Sequence, residues 1–259
     1  MAWLAPVSPD IVWFRGEDTV RFLNDILSQE IGDMDDGEVR RSMLLTPDGK
    51  VQHLMWVLSS GGDIALITDD GRGEELANVL GRYRIRVDVT IEPENEPAWL
   101  VIGEWEGIDV SWPSVPRFLV IGDRPDLAEG TVQEYERLRI EQGEPLAGVD
   151  VSEKTIPQET GMVAAMVDFD KGCFVGQELV GRIDARGGNV PRPLRILRLE
   201  GEVSPGAQVM YGDAEVGSVT SVAGDLALGI VKRAVPVGAV VRVGEVQATV
   251  AGLPRNTEE

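Results

Sequence analysis

Apolar positions recur along the chain with two periods, and the changes of period mark out its elements. Ile11-Val12-Trp13-Phe14 is a short apolar run that predicts a strand. Gly16-Glu17-Asp18 then opens a segment in which Val20, Leu23 and Leu27 return at helical spacing beside Phe22 and Ile26, so a helix packed on a sheet is expected. Strands are predicted over 42–45, 51–58 and 64–68, the second a hairpin partner of the first, with turns at Thr46-Pro47-Asp48-Gly49 and Ser60-Gly61-Gly62-Asp63. Over 74–83, Leu76, Val79, Leu80 and Tyr83 share one helical face, and the clean alternation over 85–91 predicts a strand. Pro93, Pro97, Pro113 and Pro116 punctuate the next region, around strands at 99–102 and 118–121. Thr131-Val132-Gln133-Glu134 fits a capping box, and the helix it starts should run to Gln142 and stop at Gly143.

Beyond Pro191 the texture changes. Short apolar strands are broken by Pro205-Gly206, Tyr211-Gly212-Asp213, Gly224-Asp225, Pro236-Val237-Gly238 and Gly244, with no helical stretch, which predicts a small sandwich or barrel. A domain boundary is placed near Pro191 and Pro193, and the stretch after Pro254 is expected to fray.

Charge narrows the function. The net charge of −20 argues against an extensive nucleic-acid surface, which needs clustered Lys and Arg. From Lys171 to Arg198 the sign reverses: Lys171, Arg182, Arg186, Arg192, Arg195 and Arg198 face only Glu178 and Asp184. This basic segment reads either as a wall for an anionic ligand or as a balance to acidic surface. Arg195 and Arg198, in a strand, weigh less than Arg182 and Arg186. One cysteine and one histidine can build neither an internal disulfide nor a structural zinc site. With no export signal or spanning segment in view, a soluble cytoplasmic protein is expected, with no metal and no membrane.

The one stretch that looks chosen for chemistry is Lys171-Gly172-Cys173-Phe174-Val175-Gly176-Gln177-Glu178. Its glycines permit sharp turns and close approach. A helix beginning at Gln177, with Lys171 nearby, would favour a thiolate at Cys173. The alternative is a small buried residue beside Phe174 and Val175.

This octapeptide matches the KGC(F/Y)xGQE signature of the YgfZ-type folate-binding proteins, relatives of the glycine-cleavage T-protein (aminomethyltransferase), and the chain resembles that family over nearly its whole length. The helix Val20-Arg21-Phe22-Leu23-Asn24, the turn Leu45-Thr46-Pro47-Asp48-Gly49-Lys50, and Arg139-Ile140-Glu141-Gln142-Gly143-Glu144-Pro145 stand in the family's order. Gly217-Ser218-Val219-Thr220-Ser221 and Ala227-Leu228-Gly229 look like its C-terminal barrel. The resemblance implies an α+β fold: two interleaved α/β regions over 1–190, the second roughly 46–113, and a small C-terminal β-barrel over 191–259. These would form a three-part ring around a central cavity for tetrahydrofolate or a derivative.

By the same resemblance Glu141 stands at the pterin-binding glutamate, the alternative being a surface charge near a helix end, and Tyr135 at an aromatic position that could pack on the ring or be a core aromatic on the apolar face of its helix. Gln177 belongs to the signature, Cys173 and Lys171 are the candidate reactive pair, and Arg182 or Arg186 would suit the folate's glutamyl tail by charge. One departure bears on mechanism. Where the T-protein has acidic residues after the glycine turn, this chain has Gly49-Lys50-Val51-Gln52-His53-Leu54. His53 could replace the missing acid/base, or could be a partly buried strand residue.

The resemblance therefore implies a tetrahydrofolate-binding accessory protein that supports assembly, maintenance or repair of iron–sulfur enzymes, with partners among those enzymes or their assembly factors and an indirect effect on tRNA modification. One cysteine cannot hold a stable cluster alone. The alternative is a folate-dependent one-carbon transferase acting on a small amine, with His53, Glu141 or Asp168 as its base. A cysteine hydrolase is a weaker reading, since the single histidine would have to meet Cys173 across the fold.

Overall fold

Residues 1–254 are described by a computed structural model and divide into two units, Met1–Gly130 with Ala164–Leu179, and Thr131–Val163 with Val180 onward. The fraying expected after Pro254 lies outside the described residues.

The first unit contains β1 (Trp3–Leu4), β2 (Asp10–Arg15), α1 (Thr19–Asn24), β3 (Val39–Leu45), β4 (Val51–Ser60), β5 (Asp63–Thr68), α2 (Gly73–Gly81), β6 (Thr90–Pro93), β7 (Ala98–Ile102), β8 (Ile108–Asp109) and β9 (Arg117–Ile121). They make a five-stranded sheet in the order β3-β4-β5-β2-β6 and a four-stranded sheet in the order β1-β7-β9-β8. Alternation puts Val12 and Phe14 of β2, Leu44 of β3, and Met55 and Val57 of β4 against Phe22, Leu23 and Leu27 from α1 and the turn after it, and Leu76 and Leu80 of α2. The helix-on-sheet expectation holds.

Two expectations need correction. The first helix stops at Asn24 rather than reaching Leu27, because Ile26 N–H turns back to Leu23 in a tightened last turn. The strand expected over 85–91 is confined to Thr90–Pro93. Alternation there reflects packing without pairing. Val87 and Val89 cover the core, whereas Ile85 is 72% exposed and Arg86 has φ +58°. The backbone of Asp88 is satisfied by Asp18: its N–H donates to Asp18 Oδ2 at 2.8 Å and its carbonyl accepts from Asp18 N at 3.2 Å. Gly16 allows this approach, since a Cβ there would lie 2.3 Å from the Asp88 carbonyl oxygen.

Arg117, at the start of β9, is fully buried, with its guanidinium 4.3 Å from the Trp56 ring centre and 4.5 Å from that of Trp112. Its Nη1 donates to Asp69 at 2.7 Å. One cation thereby ties the two sheets of this unit together.

The second unit is built on α3 (Val132–Glu141), a 3-10 turn (Pro157–Thr160) and a barrel. The chain passes between units within α4 (Val163–Met166) and near the start of α5 (Gln177–Asp184). The barrel strands are β10 (Leu194–Leu199), β11 (Gln208–Tyr211), β12 (Ala214–Ala223), β13 (Leu226–Val231), β14 (Val240–Val243) and β15 (Val246–Ala251). They close in the order β10-β13-β12-β11-β14-β15, all neighbours antiparallel. Leu197, Val209, Val219, Val231, Val241 and Val250 belong to one buried cluster. On the other face of β10 and β13, Leu194, Ile196, Leu226 and Leu228 pack with Ile140 of α3. The capping box at Thr131 is complete, and Gly143 ends α3 at φ +64°. The fold is mixed α/β with a closed six-stranded barrel, as the resemblance implied.

Candidate functional site

The Cys173 loop belongs to the first unit and is pinned on both sides. On one side the buried Lys171 side chain reaches the end of α1, where Nζ donates to the carbonyls of Asn24, Leu27 and Gln29, each at 2.8 Å, with Asn24 Oδ1 at 3.2 Å. These are the acceptors that a helix end and the turn after it leave unpaired, and a cation is the favoured partner there. Burial pushes the Lys171 pKa down to about 8, against the pull of Glu30, Asp168 and Asp25. Asp168 Oδ1 accepts from the N–H groups of Asp170 and Lys171, which fixes the turn leading into the loop.

Glycines make the second anchor. Gly176 has φ +80°, and a Cβ on it would lie 2.6 Å from the Thr46 carbonyl oxygen and 3.0 Å from Gly49 Cα. Gly49, at φ +78°, is equally close: its Cβ would meet Leu179 Cβ at 2.7 Å. The 46–50 turn, closed by Gly49 N–H to the Thr46 carbonyl, thus lies backbone to backbone against the octapeptide. Three of the segments that carried the resemblance, the octapeptide, the 20–24 helix and the 45–50 turn, converge here.

Between the anchors Cys173 is exposed while its neighbour Phe174 is buried, so the alternative of a buried cysteine does not hold. Among the described residues no hydrogen bond joins Cys173 to Lys171 or His53. Gln177, half-buried, is the first residue of α5.

His53 lies on β4 opposite Leu44 and is fully enclosed. Among the described residues neither ring nitrogen has a hydrogen bond, and Glu75 Oε1 lies 3.9 Å from Nε2. Glu75 is engaged by Arg72 through bonds of 2.8 and 2.9 Å. Desolvation first, then the Arg72 charge, lowers the His53 pKa to about 4. A group this far below its unfolded value leaves the native state proton-poor between pH 6.5 and 4, so stability is full above pH 6.5 and falls as pH drops. The expected loss is about 3 kcal/mol by pH 4, and His53→Leu removes that limb. Urea midpoints of both proteins from pH 7 to 4 measure the difference, since carboxylate titration is common to the two.

The second unit holds Tyr135, Glu141, Arg182 and Arg186. Tyr135 is 3% exposed, in the interior beneath α3, so it does not offer a free ring face. Glu141 is half-exposed, and its carboxylate accepts from Arg137 Nε at 3.0 Å. Arg137 also bonds Asp225 beside the barrel turn at Gly224. Arg182 and Arg186 are exposed on and just after α5.

Sequence reasoning missed the most enclosed polar cluster of this unit. Arg139 Nη1 donates to Asp150 Oδ2 at 2.7 Å and Nη2 to Ser221 Oγ at 2.7 Å, while Asp150 Oδ1 accepts from Ser221 at 2.7 Å and from Thr220 at 2.5 Å. Leu146 N–H and the Glu136 carboxylate complete it. Despite burial, Glu136 and Asp150 raise the Arg139 pKa. The available signal was an arginine four residues from Tyr135, on the same buried face of α3.

A cleft of about 460 Å³ in the first unit, bounded by Asp10, Gly73, Glu74 and Glu94, contains none of the expected site residues. No helix among the described residues is long and apolar enough to cross a membrane.

Several known proteins are similar to this chain in sequence or fold. Residues 192–254 match the C-terminal β-barrel domain of CAF17. A tRNA-modifying protein YgfZ of Edwardsiella ictaluri is 28% identical over 228 residues, covering 75% of this chain and 67% of the relative, and one of Escherichia coli O157:H7 is 24% identical over 211 residues, covering 67% and 65%. A putative chloroplastic transferase of Arabidopsis thaliana is 32% identical over 130 residues, covering 46% and 30%. The chain thus spans less than two thirds of the Arabidopsis and Escherichia coli relatives. The crystal structure of the glycine cleavage system aminomethyltransferase T from Bartonella henselae superposes with a TM-score of 0.81 at 17% identity, covering 98% of this chain and 86% of that one.

Proposed function

We propose that the chain is a YgfZ-type protein with the aminomethyltransferase fold, and that it is a cytoplasmic tetrahydrofolate-binding accessory protein that maintains iron–sulfur enzymes and acts on tRNA modification through them; the likeness to the YgfZ relatives, the CAF17-type barrel and the shared fold support this reading. The observation that carries this reading is the exposed Cys173 thiol on a loop held by Lys171 on one side and by the Gly49–Gly176 contact on the other. A thiol presented on a rigid loop is accessible to a partner's sulfur or metal centre, and a single thiol suits transient handling rather than storage.

The residues present fit a reduced folate in part. The half-exposed Glu141 carboxylate is an acceptor for the N–H edge of a pterin, and the exposed Arg182 and Arg186 suit the carboxylates of its tail. Tyr135 would support α3 from beneath rather than stack. Bound folate would supply a one-carbon unit or a recognition signal. The chain's own part is to hold it and to present the thiol.

Transferase chemistry is less well supported. Of the possible bases, His53 is enclosed, Asp168 is engaged by two backbone N–H groups, and Glu141 is paired with Arg137. Thermal unfolding with added tetrahydrofolate tests the folate reading: at about a hundredfold excess over Kd, stability should rise by about 2.7 kcal/mol, and no shift defeats it. Complementation of cells lacking the protein tests the thiol, with Cys173→Ser expected to lose rescue of iron–sulfur enzyme activity. Equal rescue would remove Cys173 from the function.

A further inference from the structure

The cleft of the first unit is lined by acids and by no base. One wall is the first half of α2, the other is the link from β6 to β7, and β2 lies between them. The helix wall is made of small residues. Gly73 lies so close to β2 that a Cβ on it would stand 2.4 Å from Asp10 Cβ, and Ala77, one turn on, leaves space beside it. Val12, Ala77 and Pro93 give the cleft apolar surface, and its volume of about 460 Å³ falls in the range of small-molecule sites.

Four carboxylates, Asp10, Glu74, Glu94 and Glu96, converge on this cleft, and no lysine or arginine borders it. The start of α2 accounts for two of them in part: Asp10 Oδ2 accepts from Gly73 N–H at 2.9 Å, and Glu74 stands in the first turn. The other two have no helix end to answer. Trp13 Nε1 at 2.8 Å and the N–H groups of Asn95 and Glu96 at 2.7 and 3.0 Å fix Glu94 in place, and these bonds, that of Glu96 first, hold its carboxyl below the usual range. Arg15, whose charge reaches Glu94, is engaged by Glu92 and Asp63. Among the described residues Glu74 and Glu96 have no side-chain hydrogen bond or ion pair, and the second oxygen of Asp10 has none. A separate observation comes from behind Asp10. Thr68 stands directly opposite it in the β2–β5 ladder, so both side chains lie on the sheet face that α2 covers. Thr68 is 1% exposed, and its hydroxyl has no hydrogen-bond partner among the described residues. That hydroxyl lies near enough to Asp70 to favour its ionised form, but outside hydrogen-bond geometry.

We propose that this cleft binds an aliphatic polyamine, with its ammonium groups held by Asp10, Glu74 and Glu96 and its methylene stem laid against Val12 and Ala77. An ammonium group has three donors and no acceptor, so it matches carboxylate oxygens that carry no other bond. Methylenes between the ammonium groups match the apolar surface between the acids. A bare metal ion fits less well, since among the described residues no group of three or more His, Cys, Asp or Glu could hold one. Glu94, with both oxygens already bonded, adds charge rather than a contact. The cleft contains neither Cys173 nor Glu141, so this inference does not rest on the folate reading.

Calorimetric titration of the full chain with spermidine tests it, at an ionic strength of about 0.15 M, which screens diffuse attraction to a chain of net charge −20. Saturable binding is expected, weakened about tenfold by Glu74→Gln and by Glu96→Gln, the loss of one charge-assisted contact. Glu17→Gln, which removes an exposed acid of the same unit outside the cleft, should leave it unchanged. Asn78→Trp, at an exposed position of the cleft lining, keeps every charge and should abolish binding by occupying the space. Spermidine failing to saturate, equal weakening by Glu17→Gln, or undiminished binding by Asn78→Trp overturns the proposal, the last two because they reduce the effect to net charge. Should Asn78→Trp fail to fold by circular dichroism, Glu96→Gln against Glu17→Gln, both at exposed positions, decides.

Discussion

Replacing Arg139 by Met should cost the second unit about 3–5 kcal/mol, the usual price of breaking a buried ion pair by removing one partner. Asp150 would keep its charge in a fully enclosed position and lose the donor that answers it. Its remaining partners, Thr220, Ser221 and Leu146 N–H, are neutral and cannot replace a guanidinium. Asp150→Leu should be nearly as costly, because the same four donors converge on that carboxylate. The double variant Arg139→Met with Asp150→Leu should lose less than the sum, since no buried charge is then left unanswered.

The chain supplies its own reporter for this experiment. All six tryptophans lie between Trp3 and Trp112, in the first unit. Tryptophan fluorescence therefore follows that unit, while circular dichroism follows both. The expected result for Arg139→Met is an earlier circular dichroism transition in urea. An unchanged midpoint would mean that α3 and the barrel strand β12 do not depend on this cluster.

Periodicity made the local parts of this molecule legible and left the distant pairings hidden. Thr131 and Glu134 are three residues apart, so their reciprocal bonds are written into four letters of sequence, and the end of α3 at Gly143 follows from the same local rule. The short strands after Pro191 gave the barrel through their turns. The 85–91 stretch misled because alternation records which side chains are buried, whereas strand pairing needs a neighbour, and Asp18 had already taken the Asp88 backbone. Lys171 was marked by its place beside Cys173, yet its partners lie more than 140 positions away, and no spacing rule could name the carbonyls of Leu27 and Gln29. The same is true of Arg139, whose bond to Ser221 spans 82 positions. His53 read as a possible base because the sequence gives residue type and strand, and it took the packing of β4 against Leu44 and α2 to enclose it.

Lys171→Met should destabilise the first unit by about 3–5 kcal/mol, whereas Cys173→Ser should change its stability by less than about 0.5 kcal/mol. The methionine has nearly the same length and no proton to give, so the carbonyls of Asn24, Leu27 and Gln29 lose a charged donor in a place where water does not replace it. Each bond from a charged donor is worth about 1.5–3 kcal/mol, and three that share one ammonium are not additive. Cys173, exposed and without a hydrogen bond among the described residues, has little stability to lose. The fluorescence transition in urea compares the two directly. A second measurement separates anchoring from chemistry: the rate at which iodoacetamide alkylates Cys173 in folded protein. If Lys171 holds the loop, Lys171→Met changes the accessibility of the thiol together with the stability of α1. If it acted on the thiol instead, alkylation would slow while the urea midpoint stayed where it was, and that outcome would return Lys171 to the reactive pair first read from the octapeptide.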